Sequence, residues 1–220
     1  MRRIVVLRPE PGASETVARA RQLGLDAIAV PLFRIEPVDW AALNATEFDG
    51  LLLTSANAIR QAGAQLQSLQ GMPVHAVGEA TAEVARGAGF NVVQAGSGGI
   101  EELLAEMPAR LRLLHLCGED RKTTASDRQA IAQIVVYRAR AIDSPPLAAL
   151  EGALALVHSP RAGRRLAELV RSRSSIQVAA LSPAAAQAAG TGWEAIEAAD
   201  QPTDEALLAL AARLCNNPRP

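Results

Sequence analysis

The chain of 220 residues is 49% hydrophobic, 20% charged and only 3% aromatic, and its formal net charge is −1. These values are typical of a globular protein and exclude an intrinsically disordered chain. The charge balance argues against a general nucleic-acid-binding surface, so an anionic ligand has to be bound by a local site.

The cysteine content and the length of the apolar runs indicate in which cellular compartment the protein is located. Cys117 and Cys215 are the only cysteines and lie far apart, which indicates neither a disulfide framework nor a zinc site. No apolar run approaches the roughly 18 residues of a membrane span. Met1 to Ile4 lead directly into a strand-like segment without a signal peptide. We therefore expect a cytoplasmic protein that binds neither membrane nor nucleic acid. We also expect it to be a monomer.

Short apolar runs alternate with Ala- and Arg-rich stretches along the whole chain. This alternation predicts an α/β protein whose parallel sheets carry helices on both faces. The predicted strands are 4–7, 27–30, 50–53, 74–77, 91–94, 113–116, 154–157, 178–181 and 195–197. The predicted helices are 13–22, 56–69, 80–88, 100–107, 161–171, 184–189 and 203–214.

An internal repeat indicates that two similar α/β domains make up the chain. Several segments of the first half match later segments at an offset of 104, which drops to 103 near the end of each half. The clearest pairs are 52–58 with 156–162, 74–82 with 178–186 and, at an offset of 109, 4–10 with 113–119.

Two extended segments, 32–38 and 134–140, do not fit the βα alternation. Each alternates apolar with polar residues, as a half-exposed strand does, and each falls where one half gives way to the other. One interpretation is a pair of ordinary edge strands. The other is a two-stranded linker between the domains.

The loops that follow the strands are the candidate ligand-binding positions, because parallel sheets bind ligands beyond the carboxyl ends of their strands. Small hydroxyl residues, Gly and Pro dominate these loops. Such residues also cap helices, so any single loop has a purely structural explanation. Taken together, the loops suit a ligand with several carboxylates, since helix N-termini bind anions through backbone N–H groups. The loops begin at Arg8, Thr54, Gly78, Gly96, Cys117, His158 and Ser182.

Familiar catalytic and cofactor motifs are missing from the sequence. It contains no dinucleotide or Walker loop, zinc-protease motif, C-x-x-C pair or nucleophile elbow. We interpret His75, His115 and Cys117 as buried structural residues, and the spacing offers no acidic partner for His158. We therefore expect no metal and no cofactor, and a reaction that depends on positioning with one acid.

Together these residues resemble the uroporphyrinogen-III synthase family across nearly the whole chain. The order and spacing of the pieces carry the resemblance, because no single piece is diagnostic. The pieces are VVLRPEPGA (5–13), FDGLLLTSANAI (48–59), VHAVGEATAEVARGAGF (74–90), EELLAEM (101–107), LLHLCGEDR (113–121), IVVYRARAI (134–142), LALVHSPRAG (154–163), VAALSPAAAQAAGTGW (178–193) and QPTDEALLALA (201–211).

The resemblance implies two flavodoxin-like α/β domains joined by a two-stranded linker. One domain would comprise 1–34 with 141–220 and the other 38–136, with linker strands at about 33–38 and 134–140. The implied enzyme is a lyase of tetrapyrrole biosynthesis. It would invert the last pyrrole ring of hydroxymethylbilane, a polycarboxylate, and close the macrocycle with loss of water. No metal or organic cofactor is implied.

The resemblance also implies site residues. Tyr137 matches the linker tyrosine that is the family's candidate acid for departure of the hydroxyl, although a structural role is the alternative. Ser182-Pro183-Ala184 departs from the Gly-Pro-Thr of many relatives, so only a backbone contact is expected from Ala184. The residues expected to bind substrate are Arg8, Ser55, Asn57, Gly78, Thr81, Gly118, Arg121, Ser159, Pro160 and Ala184.

Two other classes of protein share parts of this pattern. A two-domain small-molecule binding or regulatory protein of the periplasmic type also pairs α/β domains through two strands. The missing export signal and the absence of a DNA-binding segment count against it. A receiver domain would need acidic residues at the end of the first strand, where Arg8-Pro9-Glu10 stands instead.

Overall fold

The computed structural model describes residues 2–41, 43–96, 99–120 and 124–216. The chain divides into two compact units. The first unit comprises Met1–Arg34 and Ala141–Pro220, and the second comprises Ile35–Arg140. Over the described residues, none of the helices has the length and apolar character needed to span a membrane.

Eleven strands and seven α-helices are formed by the described residues. The strands are β1 (Ile4–Val6), β2 (Ala27–Ala29), β3 (Phe33–Pro37), β4 (Gly50–Leu53), β5 (Val74–Val77), β6 (Val92–Gly96), β7 (Arg112–Gly118), β8 (Ala130–Ala141), β9 (Leu154–Val157), β10 (Gln177–Ala180) and β11 (Ala195–Ala198). The helices are α1 (Gly12–Gln22), α2 (Ala56–Gln61), α3 (Glu79–Gly87), α4 (Ile100–Glu106), α5 (Pro160–Leu169), α6 (Pro183–Ala189) and α7 (Asp204–Asn216).

The first unit is built on a parallel sheet with the strand order β11-β10-β9-β1-β2. Counted along the unit's own chain this is the order 2-1-3-4-5, which is that of flavodoxin-like folds. Every residue of β1, β9 and β10 is buried, as expected for central strands with helices on both faces. Side chains of α1 and α7 pack together on one face of this sheet.

The second unit has the strand order β3-β8-β7-β4-β5-β6. Neighbours from β8 to β6 are parallel. The N–H of Val38 donates to the carbonyl of Val136, and that of Ile142 to the carbonyl of Leu32, both over 3.0 Å, which fits an antiparallel β3–β8 pair. At 12 residues β8 is longer than the predicted strand 134–140, because its first half pairs with β7.

The two sheets have the same spatial order when their strands are matched through the sequence repeat. Strands β9, β10, β11, β1 and β2 correspond in that order to β4, β5, β6, β7 and β8. The first strand along the chain occupies a different position of the sheet in each unit. The strand numbers, counted along the chain, therefore differ between the units although the spatial arrangement is the same. The predicted fold class, an α/β protein with two similar parallel sheets, is confirmed.

One predicted helix is wrong in part. The segment 56–69 forms α2 and then a 3₁₀-helix, Ala64–Leu69, instead of one continuous helix. Gly63 separates them with a φ of 70°, a left-handed conformation that ends an α-helix and that glycine adopts without strain. A residue-by-residue pattern does not register this break, because the apolar spacing continues across it.

We predict that Gly163→Ala destabilises the first unit by about 1–3 kcal/mol, the usual cost of overpacking. A Cβ at Gly163 of α5 would lie 2.7 Å from the carbonyl oxygen of Ala185 and 2.9 Å from the nitrogen of Ala189, both on α6. Urea unfolding followed by Trp193 fluorescence, with Trp40 replaced by Phe, reports on this unit.

Gly87→Ala is the matched control, because a Cβ there meets nothing within 4 Å. Followed through Trp40 with Trp193 replaced by Phe, it should leave stability unchanged or raise it by about 0.5–1 kcal/mol. Equal destabilisation by both substitutions would mean that helix spacing does not require Gly163.

Candidate active site

Each sheet has a point at which its chain order reverses. In the first unit the chain leaves β1 toward β2 and β9 toward β10, in opposite directions along the sheet. The carboxyl ends of β1 and β9 therefore flank a crevice of the kind in which open α/β sheets bind ligands. In the second unit β4 and β7 have the same relation.

Four predicted site residues lie at these two reversal points. Arg8 follows β1 and Ser159 follows β9 in the first unit, whereas Ser55 follows β4 and Gly118 ends β7 in the second. The sequence repeat thus brings equivalent loops to the equivalent place in each sheet.

Tyr137 lies directly against Gly118. The strand register shifts by one residue here, so that Cys117 pairs with Val135 but Gly118 pairs with Tyr137. A Cβ on Gly118 would lie 2.7 Å from Cζ and 3.0 Å from the hydroxyl oxygen of Tyr137. The half-buried ring also packs against the hydrophobic core of the second unit. Gly118 therefore provides the space that the Tyr137 ring occupies, a role that the sequence did not indicate.

The two predicted serines act locally as helix caps. Ser55 Oγ accepts a hydrogen bond from the N–H of Asn57, and Ser159 Oγ accepts one from the N–H of Ala162, each over 3.2 Å. Pro160 occupies the first turn of α5, where its missing N–H costs nothing. The caps set the direction of α2 and α5 at the sheet edge.

The remaining predicted positions are less uniform. Gly78 has a φ of 86° at the start of α3, and its N–H donates to the carbonyl of Gly96. Thr81 is only 6% exposed, within the apolar face of α3, so its hydroxyl is not offered to solvent. Asn57 is half-buried, and Ala184 is exposed in the first turn of α6. Arg121 lies outside the described residues.

His158 has the acidic partner that the sequence spacing did not reveal. Its Nε2 lies 3.0 Å from Oδ1 of Asp204, the first residue of α7. Asp204 also accepts hydrogen bonds from Thr16 at 3.1 Å and from Nε of Arg19 at 2.9 Å. Nη1 of Arg8 lies 3.6 Å from the same carboxylate. Asp204 belongs to one of the pieces that carried the family resemblance, but no short-range pattern links it to His158.

The pKa values of this pair are both lowered. Burial is the main reason that the pKa of His158 falls below its ordinary value, and the hydrogen bond to Asp204 only partly opposes it. For Asp204, burial alone would raise the pKa, but hydrogen bonds from His158 and Arg19 outweigh it and leave the pKa well below the ordinary range. The carboxylate is therefore ionised at neutral pH and the imidazole is mainly neutral.

The other predicted structural residues are buried. His115 and His75 are 1% and 9% exposed, which confirms them as interior strand residues. His115 Nε2 lies 3.1 Å from Oγ1 of Thr54, at the end of β4. Cys117 is 1% exposed and its thiol donates to the carbonyl of Ile134. Within the part of the chain that is described, no group of three or more His, Cys, Asp or Glu side chains is arranged to hold a metal ion.

Comparisons with known proteins agree with this architecture. A family model described as uroporphyrinogen-III synthase HemD matches residues 14–209. The solved uroporphyrinogen-III synthetase of Helicobacter pylori is similar with a TM-score of 0.66 at 20% identity, covering 97% of this chain and 100% of that one. A mutant uroporphyrinogen III synthase of the extremely thermophilic bacterium Thermus thermophilus is similar with a TM-score of 0.50 at 15% identity, covering 99% and 100%. At such identities the two structures show the fold alone. No curated protein matches the chain significantly.

We predict that Gly118→Ala destabilises the second unit by about 1–3 kcal/mol, because the new methyl group displaces the Tyr137 ring from its packed position. The measurement is urea unfolding followed through Trp40, with Trp193 replaced by Phe. In a Tyr137→Ala background the same substitution should cost much less, since the ring is gone. An equal cost in both backgrounds would show that some other neighbour, and not Tyr137, requires glycine.

We also predict that the first unit loses stability as the pH falls. A group with a lowered folded-state pKa binds protons more readily when unfolded, so its contribution is present above the unfolded pKa and is lost below it. For His158 the loss begins near its ordinary value of 6.5, and for Asp204 near 3.8. Urea midpoints reported by Trp193 should fall in both windows. Asp204→Asn should reduce the loss in the lower window, to which Glu194 also contributes because its hydrogen bond from Arg2 lowers its pKa. An unchanged acid profile in that variant would contradict the assignment.

Proposed function

The chain belongs to the uroporphyrinogen-III synthase family, and we propose that Tyr137 is the acid through which it releases the hydroxyl of its substrate. The enzyme acts in tetrapyrrole synthesis. Its substrate is hydroxymethylbilane, a linear tetrapyrrole that carries several carboxylates. The enzyme inverts the terminal ring and closes the macrocycle with loss of water, which would make it a lyase.

The observation that supports Tyr137 is its place beside the reversal point of the second sheet. Its ring lies over Gly118, at the carboxyl end of β7, and the adjacent β4 end carries Ser55 and Asn57. The ring is only half-buried, so it is packed in one orientation while part of it remains accessible.

The chemistry needs one proton donor. As the C–O bond of the hydroxymethyl group breaks, the phenol gives its proton to the departing oxygen and water leaves. The electron-rich pyrrole supplies the electron pair that expels it. The resulting methylene carbon first bonds to the α-carbon of the terminal ring that already carries a bridge. That older bridge bond then breaks, and its methylene carbon rejoins the ring at the unsubstituted α-carbon, so that the ring is inverted. The proton that this last carbon loses returns to the phenolate. Positioning of the folded bilane supplies most of the remaining rate enhancement.

Substrate carboxylates require cationic or N–H donors. We propose that Arg8 provides one such donor. Arg8 has 35% of its side chain exposed at the edge of its sheet, so its guanidinium is accessible to a substrate carboxylate. The binding-protein alternative has no support from the comparisons.

We propose that the enzyme is a cytoplasmic monomer. Cys117 and Cys215 are both buried and form no disulfide with each other, which suits a reducing compartment. Among the described residues, the large hydrophobic side chains that are exposed are Leu23 in the first unit and Val93 in the second, so each unit exposes only one such side chain there. Light scattering after size-exclusion chromatography tests the monomer.

The test of function is product analysis after the pure protein is mixed with hydroxymethylbilane. We expect the type III ring to form faster than the type I ring that arises spontaneously. Formation of the type I isomer alone, at the spontaneous rate, would rule out the proposed reaction.

Tyr137→Phe should lower single-turnover formation of the type III isomer by roughly tenfold to a thousandfold, the range of one positioned acid. The fold should be retained, because the ring that packs over Gly118 is retained. Ser68→Ala, which removes an exposed hydroxyl of the same unit, is the control and should keep the parental rate. A correctly folded Phe variant with the parental rate would make Tyr137 a structural residue.

A further inference from the structure

Asp204 is a buried carboxylate that gathers side chains from three other parts of the first unit. Its side chain is 13% exposed and contacts Thr16 and Arg19 of α1, His158 after β9 and Arg8 after β1. We infer that Asp204 is a positioning residue that holds Arg8 at the reversal point of the sheet for a carboxylate of the substrate. This inference rests on the proposed function.

The geometry ties the Arg8 side chain to this carboxylate in two ways. Nη1 of Arg8 lies 3.6 Å from Oδ1 of Asp204 and donates to Oγ1 of Thr16 over 3.4 Å. The Thr16 hydroxyl in turn bonds the Asp204 carboxylate at 3.1 Å. Thr16 is fully buried, so this bridge is fixed in the interior and is not a surface contact that water replaces.

Gly12 provides the second restraint on Arg8. A Cβ at this first residue of α1 would lie 2.6 Å from Nε and 2.7 Å from Cζ of Arg8. The guanidinium therefore passes directly over the backbone of Gly12, and any larger residue there pushes it aside. The backbone of Gly12 contacts one part of the Arg8 side chain, and Thr16 and Asp204 contact its guanidinium group. The Arg8 side chain is nevertheless 35% exposed.

The charges of the cluster leave it ready for an anion. Asp204 carries one negative charge, whereas Arg8 and Arg19 carry two positive charges between them. Because the buried imidazole of His158 has a lowered pKa, it adds little further charge at neutral pH. A substrate carboxylate at Arg8 would neutralise the remaining positive charge. A purely structural tie between α1 and α7 would need only the pair of Arg19 with Asp204.

The experiment measures steady-state formation of the type III isomer for Arg8→Gln, Asp204→Asn, Gly12→Ala and the double variant Arg8→Gln/Asp204→Asn. Each single substitution should raise KM about tenfold, the effect of losing one charge-assisted hydrogen bond, and change kcat by less than about twofold. The double variant should be no worse than Arg8→Gln alone, because both changes remove the same interaction.

Gly12→Ala keeps the inference falsifiable if Asp204→Asn does not fold. It displaces only the flexible end of Arg8 and leaves the bonds of Asp204 to Thr16, Arg19 and His158 in place, so it should raise KM with little loss of thermal stability. Glu197→Gln, which breaks the Arg213–Glu197 ion pair of the same unit, is the matched control and should leave KM unchanged.

The outcomes separate this inference from the proposed function. Parental KM in Asp204→Asn or Gly12→Ala, or additive effects in the double variant, would overturn the positioning role while the enzyme remains a synthase. Parental KM in Arg8→Gln would do the same. A parent protein that forms no type III isomer would remove the proposed function and this inference together.

Discussion

A parallel strand can be joined to its neighbour only by a crossover that returns the chain to the starting edge of the sheet. Nearly all strand pairs of both units are of this kind. Every loop from a strand to the next helix therefore falls at one edge, and the loops that flank an order reversal lie side by side. Arg8 with Ser159, and Ser55 with Gly118, are neighbours for this reason, although more than 60 residues separate each pair along the chain.

The substrate is a polyanion, but the protein has no excess of positive charge with which to attract it, since its net charge is −1. We propose that the means of binding it is local. Capping serines direct α2 and α5 toward the edge of each sheet, and one guanidinium is held there by a buried carboxylate. A buried carboxylate remains ionised only when hydrogen bonds compensate its desolvation, which is why Asp204 has so many partners. The same network that keeps it charged also limits where Arg8 can lie.

Because of the repeat, the carboxyl ends of the strands at the reversal point are equivalent in the two sheets. Each unit places the same kind of loop at its reversal point, but the two have diverged in what they add there. The first unit adds the Arg8, His158 and Asp204 cluster, and the second adds Tyr137 on the long strand β8. A one-residue shift in strand register, together with a glycine opposite, is sufficient to give the tyrosine its place.

Much of the fold could be predicted because it depends on patterns of short range. Apolar runs of four to seven residues mark the strands, and small polar residues with Pro mark the helix starts, since both follow from local burial and backbone hydrogen bonding. The break at Gly63 escaped prediction, because glycine tolerates a helical conformation and the left-handed one alike. Loop composition located the caps Ser55 and Ser159, but it did not distinguish the buried Thr81 from a residue at the edge.

By itself, the sequence determined the fold class, the repeat and the family, and it indicated the loops in which the candidate site residues occur. Tertiary structure alone decided that Asp204 meets His158 and Arg8, and that Gly118 makes room for Tyr137. The reason is physical. A hydrogen bond across 46 residues or an ion pair across 196 depends on the order of strands in the sheet, and the clearance above a glycine depends on strand register. Neither strand order nor strand register produces a periodic pattern in the sequence of the residues that it brings together.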